Sequence, residues 1–184
     1  FQGSCGGIGA ELCGDLLVRK ALENYTPVPP LLLSYTTTEH GKPFLPAFPH
    51  FHFNVSHSGD WVLCATASRP VGIDIQQERP FKPALPRRAL SDREQMFWNA
   101  VPAEKRSSAF FDLWCLKEAY CKATGLGLKK PLDSFSVLLE PVSISDDAYC
   151  ATLVPFPDPD YHVGLCIEGN DTPEADLRIV TSIK

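Results

Sequence analysis

The chain has 184 residues, 44% hydrophobic and 21% charged, with a formal net charge of −5, a balance that suits one compact unit or two small lobes sharing a core and argues against a general nucleic-acid binder. No apolar run approaches the roughly 18 residues that a membrane-spanning helix needs, and nothing near the start reads as a secretory signal, so the expected address is the cytoplasm with no membrane partner. Seven cysteines (Cys5, Cys13, Cys64, Cys115, Cys121, Cys150, Cys166) without a C-x-x-C pair read as small buried hydrophobes of a reducing compartment, not as a disulfide or zinc framework.

Phe1-Gln2-Gly3-Ser4 reads as the remnant of a cleavable tag and is set aside from the fold. From about Ile8 to Asn24 the pattern is helical, with Ile8, Leu12, Leu16 and their neighbours making an apolar stripe and Asp15, Arg19, Lys20 and Glu23 largely off it. Repeated prolines between Pro27 and Pro49 exclude a long helix there, and Leu31 to Thr38 reads as a strand entering a loop at Gly41-Lys42-Pro43. Phe51 to Val55 and Trp61 to Ala67 flank Ser58-Gly59-Asp60, which has the length of a β-hairpin turn. A further strand runs from Val71 to Gln76. Ser91-x-x-Glu94 matches a capping box at the head of a short helix.

The longest helical signal extends from about Ser108 to Thr124 and is stopped by Gly125 and Gly127. Three strand-like runs follow: Phe135 to Leu139, Tyr149 to Val154 and Tyr161 to Ile167.

Three places in this layout carry chemistry. In Val71-Gly72-Ile73-Asp74-Ile75-Gln76 a period of two sends Asp74 and Gln76 to one face and the aliphatic residues to the other; that polar face is either a solvated strand end or a pair of oxygen ligands. Glu118 and Lys122 are four apart on the long helix, which makes them either a surface ion pair or the margin of an apolar site built from Phe110, Phe111, Leu113 and Trp114. Asn54-Val55-Ser56-His57-Ser58 sets hydroxyls and an imidazole at a strand end, where donors can converge on an anion. Ser56 and His57 are adjacent on a strand and face opposite ways, which argues against a serine hydrolase.

Taken together, Gly41-Lys42-Pro43, Phe53-Asn54-Val55-Ser56-His57-Ser58, Val71-Gly72-Ile73-Asp74-Ile75, Phe111-x-x-Trp114-x-x-Lys117-Glu118-Ala119-x-x-Lys122 and Pro131-Leu132-Asp133-Ser134-Phe135 occur in an order and spacing that resembles the surfactin-type 4′-phosphopantetheinyl transferases. The resemblance spans about Leu12 to Glu168. It implies an α+β fold of two similar lobes related by pseudo-twofold symmetry, each an antiparallel sheet packed on a long helix. The lobes are expected at 5–70, shortened at its start, and at 71–184.

The implied activity is transfer of the phosphopantetheine arm of coenzyme A to a serine of an acyl or peptidyl carrier protein, with Mg²⁺ as cofactor and a monomer as the working unit. The alternative is a catalytically impaired coenzyme A-binding homologue. The resemblance carries over Asp74 and Glu118 as metal ligands, with Gln76 completing the set directly or through a water. It makes Asp74, Glu118 and Lys122 the catalytic group, and makes Lys42, Pro43, Ser56, His57, Asp74, Glu118 and Lys122 the residues that bind coenzyme A.

Two departures are expected to matter. Gln76 stands where the family commonly has a third acidic residue, which predicts weaker Mg²⁺ affinity with activity retained. The stretch before Leu12, which in the family carries basic residues for the 3′-phosphate, is short in this sequence; if that part is absent from the protein itself, weaker coenzyme A binding is expected. Arg87, Arg88, Arg93, Lys105 and Arg106 are candidates for docking an acidic carrier, although no single helical face collects them all.

Overall fold

The computed structural model describes residues 2–4, 9–26 and 33–170. The chain begins with strand β1 (Gln2–Ser4) and helix α1 (Ala10–Tyr25), then passes through the short strands β2 (Thr36–Thr37) and β3 (Pro43–Phe44) to the hairpin β4 (His52–Ser58) and β5 (Trp61–Ala67). It continues as β6 (Val71–Gln77), α2 (Ala84–Ala89), α3 (Asp92–Ala100), α4 (Arg106–Thr124), β7 (Val137–Leu139), β8 (Val142–Ile144), β9 (Tyr149–Leu153) and β10 (Tyr161–Glu168). Two three-stranded antiparallel sheets result, ordered β1-β5-β4 and β6-β10-β9. Each has a long helix against it, α1 on the first and α4 on the second, so the expected pair of similar α+β lobes is present. Among the described residues no helix is long and apolar enough to cross a membrane.

The first lobe closes over Leu17, Val18, Leu22, Phe51, Phe53 and Val62. The buried face of α1 is Cys13, Gly14, Leu17, Val18, Ala21 and Leu22, whereas Leu12 is exposed and Leu16 half-buried. The stripe is thus turned by about one residue from the expected Leu12–Leu16 row, because apolar residues occur on both rows and contact with β5 decides between them. The strand expected over Leu31 to Thr38 is reduced to Thr36–Thr37; Leu31 and Leu32 lie outside the described residues. Gln2–Ser4, set aside in the sequence reading, pairs with Trp61–Leu63 as an edge strand.

In the second lobe α4 buries Phe110, Leu113, Leu116 and Tyr120 against Phe135, Val137 and Ile144. Gly72 and Gly164 allow the helix to sit directly on the sheet, because a Cβ on Gly72 would fall on the Ala119 carbonyl and one on Gly164 on the backbone of Cys115. The opposite face of this sheet packs on β5 through Leu63, Ile73, Ile75, Tyr161, Val163 and Leu165, which form a core shared by both lobes.

Ser91 and Glu94 form the expected capping box at α3. Glu94 also reaches inward to Lys117, whose ammonium lies 2.6 Å from both carboxylate oxygens, and both side chains are fully buried. The Lys117 ammonium donates to Phe135 O as well, and the carboxylate accepts from the backbone of Ser91 and Val137. Every strong donor and acceptor of this buried pair is therefore used.

Cys64, Cys115, Cys121, Cys150 and Cys166 carry reduced thiols, but Cys13 is disulfide-bonded. The reading of the cysteines as a set without disulfides is corrected at that position. A disulfide needs only Cα atoms about 4.4–6.8 Å apart in space, which spacing along the chain does not reveal. Cys5 lies outside the described residues.

Candidate active site

The site forms along the free edge of β6. One edge of this strand pairs with β10; the other turns toward β4, which meets it with side chains in place of backbone. Alternate residues of β4 accept from alternate amides of β6: Asn54 Oδ1 from Ile73 N at 2.9 Å, Ser56 Oγ from Ile75 N at 3.3 Å, and Ser58 Oγ from Gln77 N at 2.9 Å. The carbonyls of the same edge are capped by lysine ammonium groups, Val71 O by Lys42 and Ile73 O by Lys122. Edge groups that would otherwise be orphaned are thereby satisfied.

Asp74 is 2% exposed, on the face of β6 covered by α4. The solvated strand end left open by the sequence is thus ruled out, since α4 covers that face. Its Oδ1 accepts from Ser56 Oγ at 2.8 Å and from Lys122 Nζ at 2.7 Å, and its Oδ2 from Gln76 Nε2 at 3.2 Å. Ser56 is fully used: its hydroxyl donates to Asp74 and accepts from Ile75 N and Lys122 Nζ. Lys122 gives its three N–H groups to Asp74, Ser56 and Ile73 O, and its side chain remains 25% exposed at the cleft.

Glu118 lies one helical turn before Lys122 and is half-buried. Burial raises the proton affinity of its carboxyl, the Asp74 carboxylate raises it further, and Lys122 partly opposes both. No described residue donates a hydrogen bond to Glu118. The surface ion pair that its spacing from Lys122 permits does not form, because Lys122 turns to Asp74 instead.

Asp74, Gln76, Ser56, Glu118 and Lys122 are therefore brought together, while Lys42 and His57 are not part of the cluster. Lys42 Nζ donates to Val71 O at 3.1 Å, Lys122 O at 2.6 Å and Ala123 O at 3.0 Å, and burial pushes its pKa down to about 8. His57 is exposed on the face of β4 opposite Ser56. Pro43 lines a cavity of about 490 Å³ with Lys42, Phe44, Phe48, Pro70 and Thr124.

Some polar partners had no clear signal in the sequence. His162 of β10, cross-strand from Gln76, has Nδ1 2.7 Å from Asp112 and Nε2 3.2 Å from Glu78, and stacks on Phe111. Burial pulls its proton affinity down, but Asp112 and Glu78 outweigh this and hold it above the usual histidine range. Three distant segments supply that cluster, and nothing local marks it. Asn54, by contrast, belongs to the two-residue period that also contains Ser56 and Ser58, and that alternation was visible.

Among the described residues no group of three or more His, Cys, Asp or Glu is arranged to hold a metal ion, so the candidate donor set is two carboxylates and an amide. Of the basic residues considered for docking, Arg106 is committed to Val101 O and Asn99 O. Arg87, Arg88, Arg93 and Lys105 are exposed.

Residues 70–166 match the family model described as the 4′-phosphopantetheinyl transferase superfamily, and residues 8–69 match one described as 4′-phosphopantetheinyl transferase, N-terminal. A 4′-phosphopantetheinyl transferase of Bacillus subtilis is 39% identical over 144 residues, covering 78% of this chain and 62% of that protein. The 4′-phosphopantetheinyl transferase Sfp of Bacillus subtilis (strain 168) is 38% identical over 176 residues, covering 92% of this chain and 78% of that protein. The solved holo-[acyl-carrier-protein] synthase of Thermotoga maritima superposes on 55% of this chain and 64% of its own, with a TM-score of 0.46 and 20% identity.

Proposed function

The chain belongs to the 4′-phosphopantetheinyl transferase superfamily, and on that premise we propose that it moves the phosphopantetheine arm of coenzyme A onto a serine of an acyl or peptidyl carrier protein, with Mg²⁺ bound and 3′,5′-ADP released. The observation that carries this reading is the convergence of Asp74 from β6 and Glu118 from α4 beside the Lys122 ammonium. The cleft lies within one chain, which fits action as a monomer.

A hard divalent cation fits this donor set. Glu118 has no hydrogen-bond donor among the described residues and is pressed by a second carboxylate, and Mg²⁺ ordinarily takes one or two carboxylates together with water and phosphate oxygens. Asp74 and Glu118 would hold it, with Gln76 contributing directly or through a water. When bound, it supplies charge that neutralises the diphosphate of coenzyme A.

The protein's own groups supply the rest. In the proposed reaction the carrier serine oxygen forms a bond to the β-phosphorus while the bond from that phosphorus to the oxygen of 3′,5′-ADP breaks. The serine proton passes to Glu118, directly or through a water, since this is the carboxylate at the cleft with no hydrogen-bond donor among the described residues. Lys122, at the open side of the cluster, exchanges one of its present partners for a diphosphate oxygen. Ser56 serves by holding Asp74 and Lys122. The cavity beside Pro43 has a size and apolar lining suited to a nucleoside, and exposed His57 remains available to a phosphate.

The test is intact-mass analysis of an apo carrier protein after incubation with coenzyme A, Mg²⁺ and this protein. A mass gain of one phosphopantetheine is expected with the wild type and not with Asp74→Ala or Glu118→Ala. Coenzyme A binding by calorimetry without any mass gain would overturn the reading in favour of an impaired binding homologue.

A further inference from the structure

Lys42 sits where the two lobes meet, and its ammonium spends all three N–H groups on backbone carbonyls and none on a side chain. Its three donors end on carbonyls at 2.6 to 3.1 Å: Val71 O at the start of β6, and Lys122 O and Ala123 O in the last turn of α4. A cation is favoured at that end of a helix, where backbone carbonyls lack intrahelical partners. The aim of the side chain is fixed by its backbone, since Lys42 N donates to Thr38 Oγ1 and Thr38 N to Lys42 O, around a turn in which Gly41 has φ +84°. The stem then passes over Gly125, whose Cβ, were it present, would lie 3.5 Å from Lys42 Cδ.

The carbonyl held most closely belongs to Lys122, the residue whose own ammonium grips Asp74 and Ser56. One turn of α4 is thus held by the first lobe twice, through its backbone by Lys42 and through its side chain by Ser56. Lys42, Thr124 and Gly125 also line the 490 Å³ cavity, so the clamp borders that cavity and holds the helix turn that carries Lys122. We propose that Lys42 is a positioning residue that clamps the end of α4 to β6 and sets where Lys122 presents its charge, and is not a phosphate contact of the kind the family resemblance assigns to it. This rests on the transferase reading above.

The experiment is steady-state transfer to an apo carrier protein by the wild type, Lys42→Met, Lys42→Arg and Thr38→Ala, with coenzyme A and 3′-dephospho-coenzyme A each varied as donor. Lys42→Met should lower kcat by about tenfold or more, as misplacement of a catalytic group does. KM for coenzyme A should stay within about twofold, since methionine keeps the apolar stem that lines the cavity and only the ammonium, which faces backbone carbonyls, is lost, and the preference between the two donors should be unchanged. Lys42→Arg, which keeps a cation near the carbonyls, should recover part of kcat. Thr38→Ala, which loosens the turn but leaves the ammonium, should lower kcat less, with KM again unchanged; with Lys42→Arg it decides the matter should Lys42→Met not fold.

A raised KM at unchanged kcat, a lost preference for the 3′-phosphorylated donor, or no recovery in Lys42→Arg overturns the proposal alone. A wild type that makes no holo-carrier overturns it together with the transferase reading.

Discussion

The Glu118 carboxyl is half-buried next to Asp74, and burial first and that carboxylate second raise its proton affinity. A carboxyl whose pKa is higher in the folded chain than in the unfolded one holds its proton more tightly when folded. Its ionisation therefore removes stability as pH rises from the ordinary glutamate range through the raised value. Glu118→Gln, in chelator at neutral pH, should melt at or above the wild type, yet lose transfer by about a hundredfold or more if the carboxylate is ligand and base. Added Mg²⁺ should raise the melting temperature of the wild type and leave the variant unmoved; a variant clearly less stable than the wild type in chelator rejects this account. At Gln76 the amide N–H is spent on Asp74 Oδ2 at 3.2 Å, so a cation approaching that oxygen competes with a hydrogen bond. Gln76→Glu should shift the half-saturating Mg²⁺ concentration for transfer downward, and an unchanged midpoint would count against it. These residues were legible because their types and spacing are unusual in combination. The hydrogen-bond partners of Ser56 and Lys42 were not, because a sequence states what a side chain can donate and not which acceptor it will meet.

Neighbouring positions of α4 face opposite requirements: Glu118 borders the cleft, whereas Lys117 is fully buried with Glu94. Removing the Lys117 ammonium leaves a carboxylate buried and uncompensated except for two backbone amides, a loss of about 3–5 kcal/mol for pairs of this kind. Lys117→Met should therefore lower the urea midpoint strongly, and adding Glu94→Gln should restore part of it; a single variant as stable as the wild type would show that the pair carries little. The capping box at Ser91 and Glu94, the length of α4 and the β4–β5 hairpin could be read from the sequence because caps, periodicity and turns are local signals. Helix α2, with Pro86 inside its six residues, and strand β8, with three, are too short for periodicity to mark. The alternation of β6 correctly separated Asp74 from Ile73 and Ile75. What alternation could not tell is that α4 would cover the Asp74 face, a packing that depends on Gly72 of β6 and Gly164 of β10, which is the cross-strand partner of Asp74, leaving room for the helix backbone.

At the scale of the molecule, the lobes are joined by more than a chain crossing. Leu63 of the first lobe shares a core with Ile73, Ile75 and Leu165 of the second, Trp61 meets Phe156 edge to face at 5.4 Å, and the β4–β6 seam adds three side-chain-to-backbone hydrogen bonds. Separating the lobes would expose that core and orphan the β6 edge at once, so neither lobe is expected to unfold alone. Amides of α1 and α4 should lose hydrogen-exchange protection at the same urea concentration, in step with the change in tryptophan fluorescence. The site depends on the same seam, since Ser56 comes from the first lobe and Asp74, Glu118 and Lys122 from the second. A ligand bound there stabilises the joined state alone. Coenzyme A with Mg²⁺ should consequently move the α1 and α4 transitions upward by equal amounts; if only α4 shifts, the ligand engages the second lobe without the first, and a cleft built from both is wrong.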